Sequence, residues 1–505
     1  MRVSRHALVD ADSQRLIAAR LFHSSPASAA LIVTCDDASG YRGYCRRYMA
    51  DRRNDASKPG DISMPLQMIL VAVGTSGDVL PFVAIGIVAK ARGHRVAMVA
   101  SGAHRASIEA GGIELIESID AEADAIALGH PNFWRPTRGL RRISERIIVP
   151  SLRPQVAAIE SLHEKGNTVV VGSTLALGAR IACEKFGVPF VSVHLAPAAF
   201  RSLEATPHVA NIRHFPHLPR SIKRLLYWYF DRFIVDPALG RGLNHVRVEL
   251  GLPPIVRPLH QWLHSPARVI GLFPPWFASP ASDWPKQVKL TGFPLYDGPR
   301  ARSVPPDLLR FLAEGEPPVV FTAGTGMRHA GSFFRAAVDA CIRLGLRGVL
   351  ISSSVGEIAV HTRPTVRAFD YAPFNMLLPH ARAIVHHGGI GTSAQAMRAG
   401  IAQVVIPLAY DQADNAARLE RLGVAAVVHV REPSGTRLAQ VLQKLLGRPD
   451  LHEKLVTVAR RFHDDNKALV ETCRLIEQTV RVRNDSRASG ESGVSASKEF
   501  DVDRN

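Results

Sequence analysis

The stretch 381-ARAIVHHGGIGTSAQAMRAGIAQVVIPL-408 decides the fold. ARAIVHH reads as a buried strand, the glycines as a turn, TSAQAMRAG as a helix closed by Gly400, and QVVIPL as the next strand. Strand, helix and strand in that order make a βαβ unit, and its first turn lies at the carboxyl edge of a parallel sheet, where open α/β folds bind ligands. Gly388, Gly389 and Gly391 let the backbone approach a ligand closely, and the amide groups at the start of the helix suit a phosphate. Neighbouring strand residues face opposite ways, so His386 and His387 cannot readily share a metal. His387, beside the glycines, is expected to face the ligand and His386 the packing; the alternative is two histidines satisfied within an interface.

The next strand ends in PLAYDQADNAARL, where Asp411, Gln412 and Asn415 leave the same sheet edge. A carboxylate beside an amide can hold several hydroxyls, as a sugar requires, although Asp411 could simply cap the helix that follows. A diphosphate reader and a hydroxyl reader one βαβ unit apart describe a nucleotide-sugar site. Outward from here the chain alternates short apolar strands with helical patterns, the mark of parallel α/β units. One series holds MILVAVG, RVAMVA, TVVVGS, PFVSVHL and RVIGLF; after the proline-rich FPLYDGPRARSVPPD a second holds PVVFTAG, GVLISS, TVRAFDY, AIVHHGG, QVVIPL and AAVVHV. The expected division is a first α/β domain at 65–295, a linker at 296–306, and a second α/β domain with its closing helices at 307–481. Residues 1–64 are expected to be a disordered extension, or an over-long start with the true one at Met64 or Met68, and 482–505 a disordered tail. Each half opens with a strand and a Gly-Thr loop, MILVAVGTSGD and VVFTAGTGMRH, and neither loop is a GxxxxGK or full GxGxxG fingerprint.

Composition narrows the partners. The 505 residues carry a formal charge of +17, which invites nucleic acid, an anionic membrane or a phosphorylated ligand. Aromatic residues are only 7% and form no basic-aromatic platform, so nucleic acid is not expected. The five cysteines are scattered without a CxxC pair, which speaks for a reducing compartment. No apolar run reaches the ~18 to 20 residues of a membrane span. The segment 221-SIKRLLYWYFDRF-233 mixes cations with large aromatics and either rests on a membrane, lines a lipid pocket, or is an ordinary core helix. A cytoplasmic protein, with peripheral contact to the inner membrane, is the corresponding expectation.

The span HHGGIGTSAQAMRAGIAQVVIPLAYDQADNAARLERLGVA resembles the donor-binding motif of the family 1 glycosyltransferases. The resemblance covers roughly residues 66–480 and includes GTSGDVLPFVAIG near the start. It implies the GT-B fold, two Rossmann-like α/β domains facing a central cleft, the first binding the acceptor and the second the nucleotide-sugar donor. Within that family, VVGSTLALGARIACEKFGVPF, QWLHSP, LFPPWFA, DWP and TGFPLYDG are most similar to the bacterial rhamnosyltransferase of rhamnolipid synthesis. That likeness implies transfer of L-rhamnose from a thymidine-diphosphate donor to a hydroxylated lipid. By position, it implies His387, Gly389, Thr392 and Thr325 at the donor diphosphate, with Gly388 and Gly391 shaping the turn. Asp411 and Gln412 would hold sugar hydroxyls, and Tyr371 would stack on the base where many relatives have tryptophan. Gln395 stands where plant relatives have a glutamate that grips ribose, a departure compatible with deoxyribose.

An inverting transfer needs a base for the acceptor hydroxyl and positive character at the leaving diphosphate. Asp78, in GTSGDV, is the expected base, at the position where plant relatives carry a catalytic histidine; an N-cap role is its alternative, and His194 is the reserve. The DxD patterns DAD and DVD fall only in the two tails, so no metal and no cofactor are expected, the donor being a co-substrate. Competing readings are a UDP-glucose-dependent enzyme acting on a sterol or secondary-metabolite aglycone, an epimerase or hydrolase, and a non-catalytic sugar-nucleotide-binding subunit.

Overall fold

The computed structural model describes residues 65–130, 136–209, 215–260, 262–298, 304–324, 330–352, 363–429, 434–462 and 467–488. The chain divides into two compact units, residues 63–301 with 318–505, and residues 1–62 with 302–317. In the smaller unit the described element is a helix, Pro306–Ala313, opened by Pro305 and Pro306. The expected donor domain began at 307; in the structure 307–317 groups with the smaller unit instead. The expectations for residues 1–64 and 489–505 lie outside the described residues.

Among its described residues the larger unit contains two wholly parallel sheets. The first has seven strands: β1 (Gln67–Val71), β2 (Arg95–Ser101), β3 (Glu114–Ile119), β4 (Thr168–Ser173), β5 (Phe190–His194), β6 (Arg268–Gly271) and β7 (Val288–Leu290), in the order β3-β2-β1-β4-β5-β6-β7. The second has six: β8 (Val319–Thr322), β9 (Gly348–Ile351), β10 (Val366–Phe369), β11 (Ala383–His386), β12 (Ala402–Val405) and β13 (Ala425–Val427), ordered β10-β9-β8-β11-β12-β13. Two α/β sheets of this kind are the two Rossmann-like halves of the GT-B architecture. Strand order reverses between β1 and β4 in one sheet and between β8 and β11 in the other. Those switch points are where a crevice opens at the carboxyl ends.

Both faces of each sheet are covered, so the central strands β1, β4, β5, β8 and β11 are buried at every position and largely apolar. Along β1, Met68 and Leu70 enter one core while Ile69 and Val71 enter the other, as a period of two requires. The first of these cores receives α1 (Ser76–Ala91) through Phe82, Val83 and Ile85. It also receives α5 (Lys467–Ala488) through Leu469, Cys473 and Ile476. This corrects the expected division: the closing helix packs on the first sheet, not with the donor half. Glu477 fixes it there, accepting from Arg92 Nε at 2.6 Å and Nη2 at 2.8 Å and meeting His94 Nε2 at 2.9 Å. Burial works against that charge, but the bonds from Arg92 and His94 outweigh it and hold the Glu477 carboxyl down at about 2. The helix also continues to Ala488, past the expected tail boundary.

A further core joins the halves. Phe273, Phe277 and Phe293 from the first cluster with Met397, Leu419 and Val424 from the second. Beside it Arg418 donates to Asp414 at 2.7 Å and to the Phe277 carbonyl at 3.3 Å, while Asp414 accepts the His208 amide at 3.0 Å.

Candidate active site

At the second switch point, β11 ends in His386, level with Thr322 at the end of β8. The His386 ring is fully buried. Its Nδ1 accepts the Gly388 amide at 3.1 Å, so its other nitrogen carries the proton and donates to Gln403 Oε1 at 3.0 Å. Burial and the neighbouring His387 hold it neutral, at about 3. His386 is a packing residue that braces the turn.

His387 is half-buried and wedged between two backbones. A Cβ on Gly324 would lie 2.5 Å from His387 Cε1, and one on Gly389 2.5 Å from Nε2, so glycine at both places makes room for the ring. Its Nδ1 is buried without a partner, and burial moves it down to about 4, so in the free protein it offers a hydrogen bond rather than a charge. The next element, α3 (Ile390–Ala399), has Gly389 at its N-cap and therefore no side-chain cap. Its first-turn amides, with half-buried Thr392 and exposed Gly391 among them, are open to an acceptor. Thr325, the other expected diphosphate residue, lies outside the described residues, immediately after Gly324.

The hydroxyl-reading end differs from expectation. Asp411 occupies the N-cap position of α4 (Gln412–Arg421), but its side chain does not cap; it accepts Asn415 Nδ2 at 2.8 Å. Burial, opposed by that hydrogen bond and reinforced by the charge of Asp78, moves Asp411 up to about 6. Gln412 is 4% exposed, and its oxygen is spent on the Leu408 and Ala409 amides at 2.8 and 3.0 Å. It braces the loop and can address a sugar only through its amide hydrogens. Tyr410, missed by sequence reasoning, is held at φ 56 and is 41% exposed beside Asp411. A non-glycine residue in that region is a strained one, and the charge of Asp78 reaches its phenol.

Asp78 comes from the other half, on the third residue of α1. Its Oδ2 accepts the Thr75 amide at 2.8 Å and the Thr75 hydroxyl at 3.1 Å. The helix begins at Ser76, and its N-cap is Thr75 rather than Asp78, which takes the reciprocal position. Burial raises the Asp78 carboxyl, against the two Thr75 hydrogen bonds and the influence of His104. The reserve candidate His194 is fully buried, with Nδ1 on the Thr174 hydroxyl and Nε2 on His264 Nδ1, both at 3.0 Å. Neither nitrogen is open to an acceptor.

Gln395 is 6% exposed and donates its amide to Asp297 Oδ1 at 3.0 Å. Asp297 also takes the Asn375 amide on Oδ2 at 3.2 Å, and the Tyr371 hydroxyl donates to its backbone carbonyl at 2.9 Å. Burial raises this carboxyl, against the backbone amides of Asn375 and Phe374 and the charge of Arg398. The Gln395 oxygen is left buried without a partner. Asp297 was invisible in the sequence because it belongs to the stretch read as linker. Among the described residues no group of three or more His, Cys, Asp or Glu could hold a metal ion.

Comparison with known proteins agrees with this architecture. Residues 68–150 match the glycosyltransferase family 28 N-terminal domain, and 348–473 the C-terminal domain of erythromycin biosynthesis protein CIII-like proteins. The O-mycaminosyltylonolide 6-deoxyallosyltransferase of Streptomyces fradiae is 29% identical over 443 residues, 84% of this chain and all of that protein. The glycotransferase of kitacinnamycin superposes with a TM-score of 0.63 at 21% identity, over 83% of this chain and 100% of its own. Spinosyn rhamnosyltransferase SpnG complexed with thymidine diphosphate gives 0.56 at 17% identity, over 82% and 99%.

Proposed function

From the premise that the chain is a glycosyltransferase of GT-B type, we propose that it moves a 6-deoxyhexose, L-rhamnose foremost, from a thymidine-diphosphate donor to a hydroxyl of a hydrophobic acceptor, with inversion. One observation carries the reading: a carboxylate from the first half, Asp78, interacts with Tyr410 and Asp411 from the second, within the unit that also holds the uncapped start of α3. Asp78 takes the proton of the acceptor hydroxyl, and the freed oxygen attacks the anomeric carbon as its bond to the diphosphate breaks. The leaving charge meets the first-turn amides of α3 and a ring N–H of His387. Asp411 holds the sugar through its hydroxyls, and Tyr410 covers it.

The donor nucleoside is read at Gln395. With one amide hydrogen committed to Asp297, the free Gln395 oxygen is a neutral acceptor, weaker than a two-oxygen carboxylate gripping both ribose hydroxyls. A deoxyribose offers one such hydroxyl, a ribose two. A glutamate at 395 would put two buried carboxylates together, which costs heavily, so the carboxylate at 297 accounts for the departure from the plant pattern. The macrolide-directed relative and the rhamnosyltransferase complex support a deoxysugar and a secondary-metabolite aglycone. A hydroxylated lipid is the second acceptor reading, favoured by the exposed aromatic helix described below.

The test is competition between dTDP-L-rhamnose and UDP-glucose at equal concentration against a panel of macrolide aglycones, sterols and hydroxy-fatty acids. Binding of thymidine, deoxyuridine and uridine diphosphates is measured in parallel. Rhamnosyl product, with both deoxynucleotides binding about equally and above uridine diphosphate, is expected. Preference for UDP-glucose overturns the donor assignment. Absence of transfer to any acceptor, with normal nucleotide binding, favours a binding subunit.

A further inference from the structure

The helix α2 (Arg220–Phe230) is inside out. Its buried residue is a cation, Lys223, whose Nζ donates to the Leu203 carbonyl at 3.1 Å. Its apolar residues face outward: Ile222 is 42% exposed, Leu225 60%, Trp228 47% and Tyr229 54%. An ordinary core helix, one of the expectations for this segment, is thereby excluded.

The exposed side chains form one surface. Phe233, 53% exposed, meets Trp228 at 6.0 Å and Tyr229 at 4.8 Å between ring centroids. Leu225 lies one helical turn before both Trp228 and Tyr229. Trp228 shares the wall of a depression of about 710 Å³ with Val256, which is 77% exposed. Apolar patches of this kind mark interaction sites.

The rim is basic. Arg224, Arg232 and Arg241 are exposed, Arg232 lying over the Phe233 ring. The helix carries no acidic residue; of the carboxylates that follow it, Asp231 is fully buried between Arg201 and Arg257, and Asp236, half-buried in the same depression, accepts the Arg257 amide at 2.9 Å. Arg220 is paired with Glu204. An apolar centre of tryptophan, tyrosine, phenylalanine and leucine inside an arginine rim is the chemistry of the bilayer interface, with anionic headgroups at the rim. A two-fold pairing of copies through this patch would bring like-charged rims together. We infer that the surface formed by α2 and Phe233 docks the enzyme on an anionic lipid bilayer.

The inner side of the same helix holds the chain that leaves β5: Tyr227 donates to the Ser202 carbonyl at 3.5 Å, and Arg201 lies over the Tyr227 ring. Docking would therefore bring a lipid surface beside the carboxyl edge of the first sheet, where a hydrophobic acceptor would arrive.

The test uses the full chain and vesicles of phosphatidylcholine with or without phosphatidylglycerol, read by co-sedimentation and sedimentation velocity. Binding at least about 10-fold stronger to the anionic vesicles, weakened by salt, is expected. Arg224→Glu with Arg232→Glu should reduce it by about 10-fold or more. Leu225→Ser with Phe233→Ser should do the same, and all four side chains are exposed, so unfolding temperature should hold. Nucleoside diphosphate binding should stay unchanged in both pairs. No preference for anionic vesicles overturns the inference, as does binding that both pairs leave intact, which would place it elsewhere, such as in the arginine-rich residues 1–64. A dimer that both pairs dissolve, without lipid binding, makes a second copy the occupant and overturns it too.

Discussion

His386 and His387 show how far a single position can be read. The period of two in β11 and the glycines after it were enough to assign opposite faces to the pair. What the sequence could not show is that His387 is held neutral by burial and gripped by Gly324, a residue more than sixty positions away. His387→Ala should weaken thymidine diphosphate binding about 10- to 100-fold, the scale of one hydrogen bond to a charged group, with little loss of stability. His386→Ala leaves the Gly388 amide and Gln403 unpaired and should cost about 2–4 kcal/mol of stability. Calorimetric titration and thermal unfolding of both variants separate the cases; weaker nucleotide binding only in His386→Ala would reverse the assignment. At Asp78 the sequence offered base or cap as alternatives; the N-cap is Thr75, and Asp78 accepts its amide from the third helical position. Asp78→Asn keeps an oxygen for the Thr75 amide, so stability should fall by no more than about 1 kcal/mol, while transfer falls about 100-fold or more. Near-normal turnover would remove Asp78 from the proton transfer.

Elements were legible in proportion to their burial. The central strands are apolar on both faces and stand out from the sequence. The two edge strands of the first sheet, β3 (ELIESI) and β7 (VKL), carry charge and were missed, because an edge strand is open to water on one side. Helix α5 was recognised as a helix and misplaced, since periodicity says that one face is buried but not against what. Its ion pair gives a check. Glu477→Gln should cost about 2 kcal/mol at neutral pH, the scale of hydrogen bonds to charged groups. Because the folded carboxyl is depressed, that stabilisation is full above about pH 4.5 and lost as pH falls toward 2, so wild type and variant should converge in acid. Denaturant unfolding at pH 7 and pH 3 measures the difference; equal gaps at both would mean that the charge is not what holds the helix.

At the scale of the whole molecule, the proposed site draws on both halves, the charge of Asp78 in one bearing on Asp411 in the other. Asp411 is raised to about 6, so acid protonates it and turns a charged acceptor of sugar hydroxyls into a weaker neutral one. Affinity for the nucleotide sugar should therefore rise between pH 5 and 7 relative to the nucleoside diphosphate alone. Asp78→Asn removes one cause of the elevation and should move that rise to lower pH; an unmoved profile would mean the two carboxylates do not communicate. The return of α5 to the first sheet has a separate consequence. The polypeptide leaves the first half once and comes back to it, so the second half is an insertion within the first rather than an appendage at its end. Exchanging sugar preference between enzymes built this way calls for a cassette with two seams, from Val319 to Phe462 in this chain, the final helix staying with its original sheet. A chimera joined at a single seam would confront that sheet with a foreign helix, and its first failure would be in solubility rather than in chemistry.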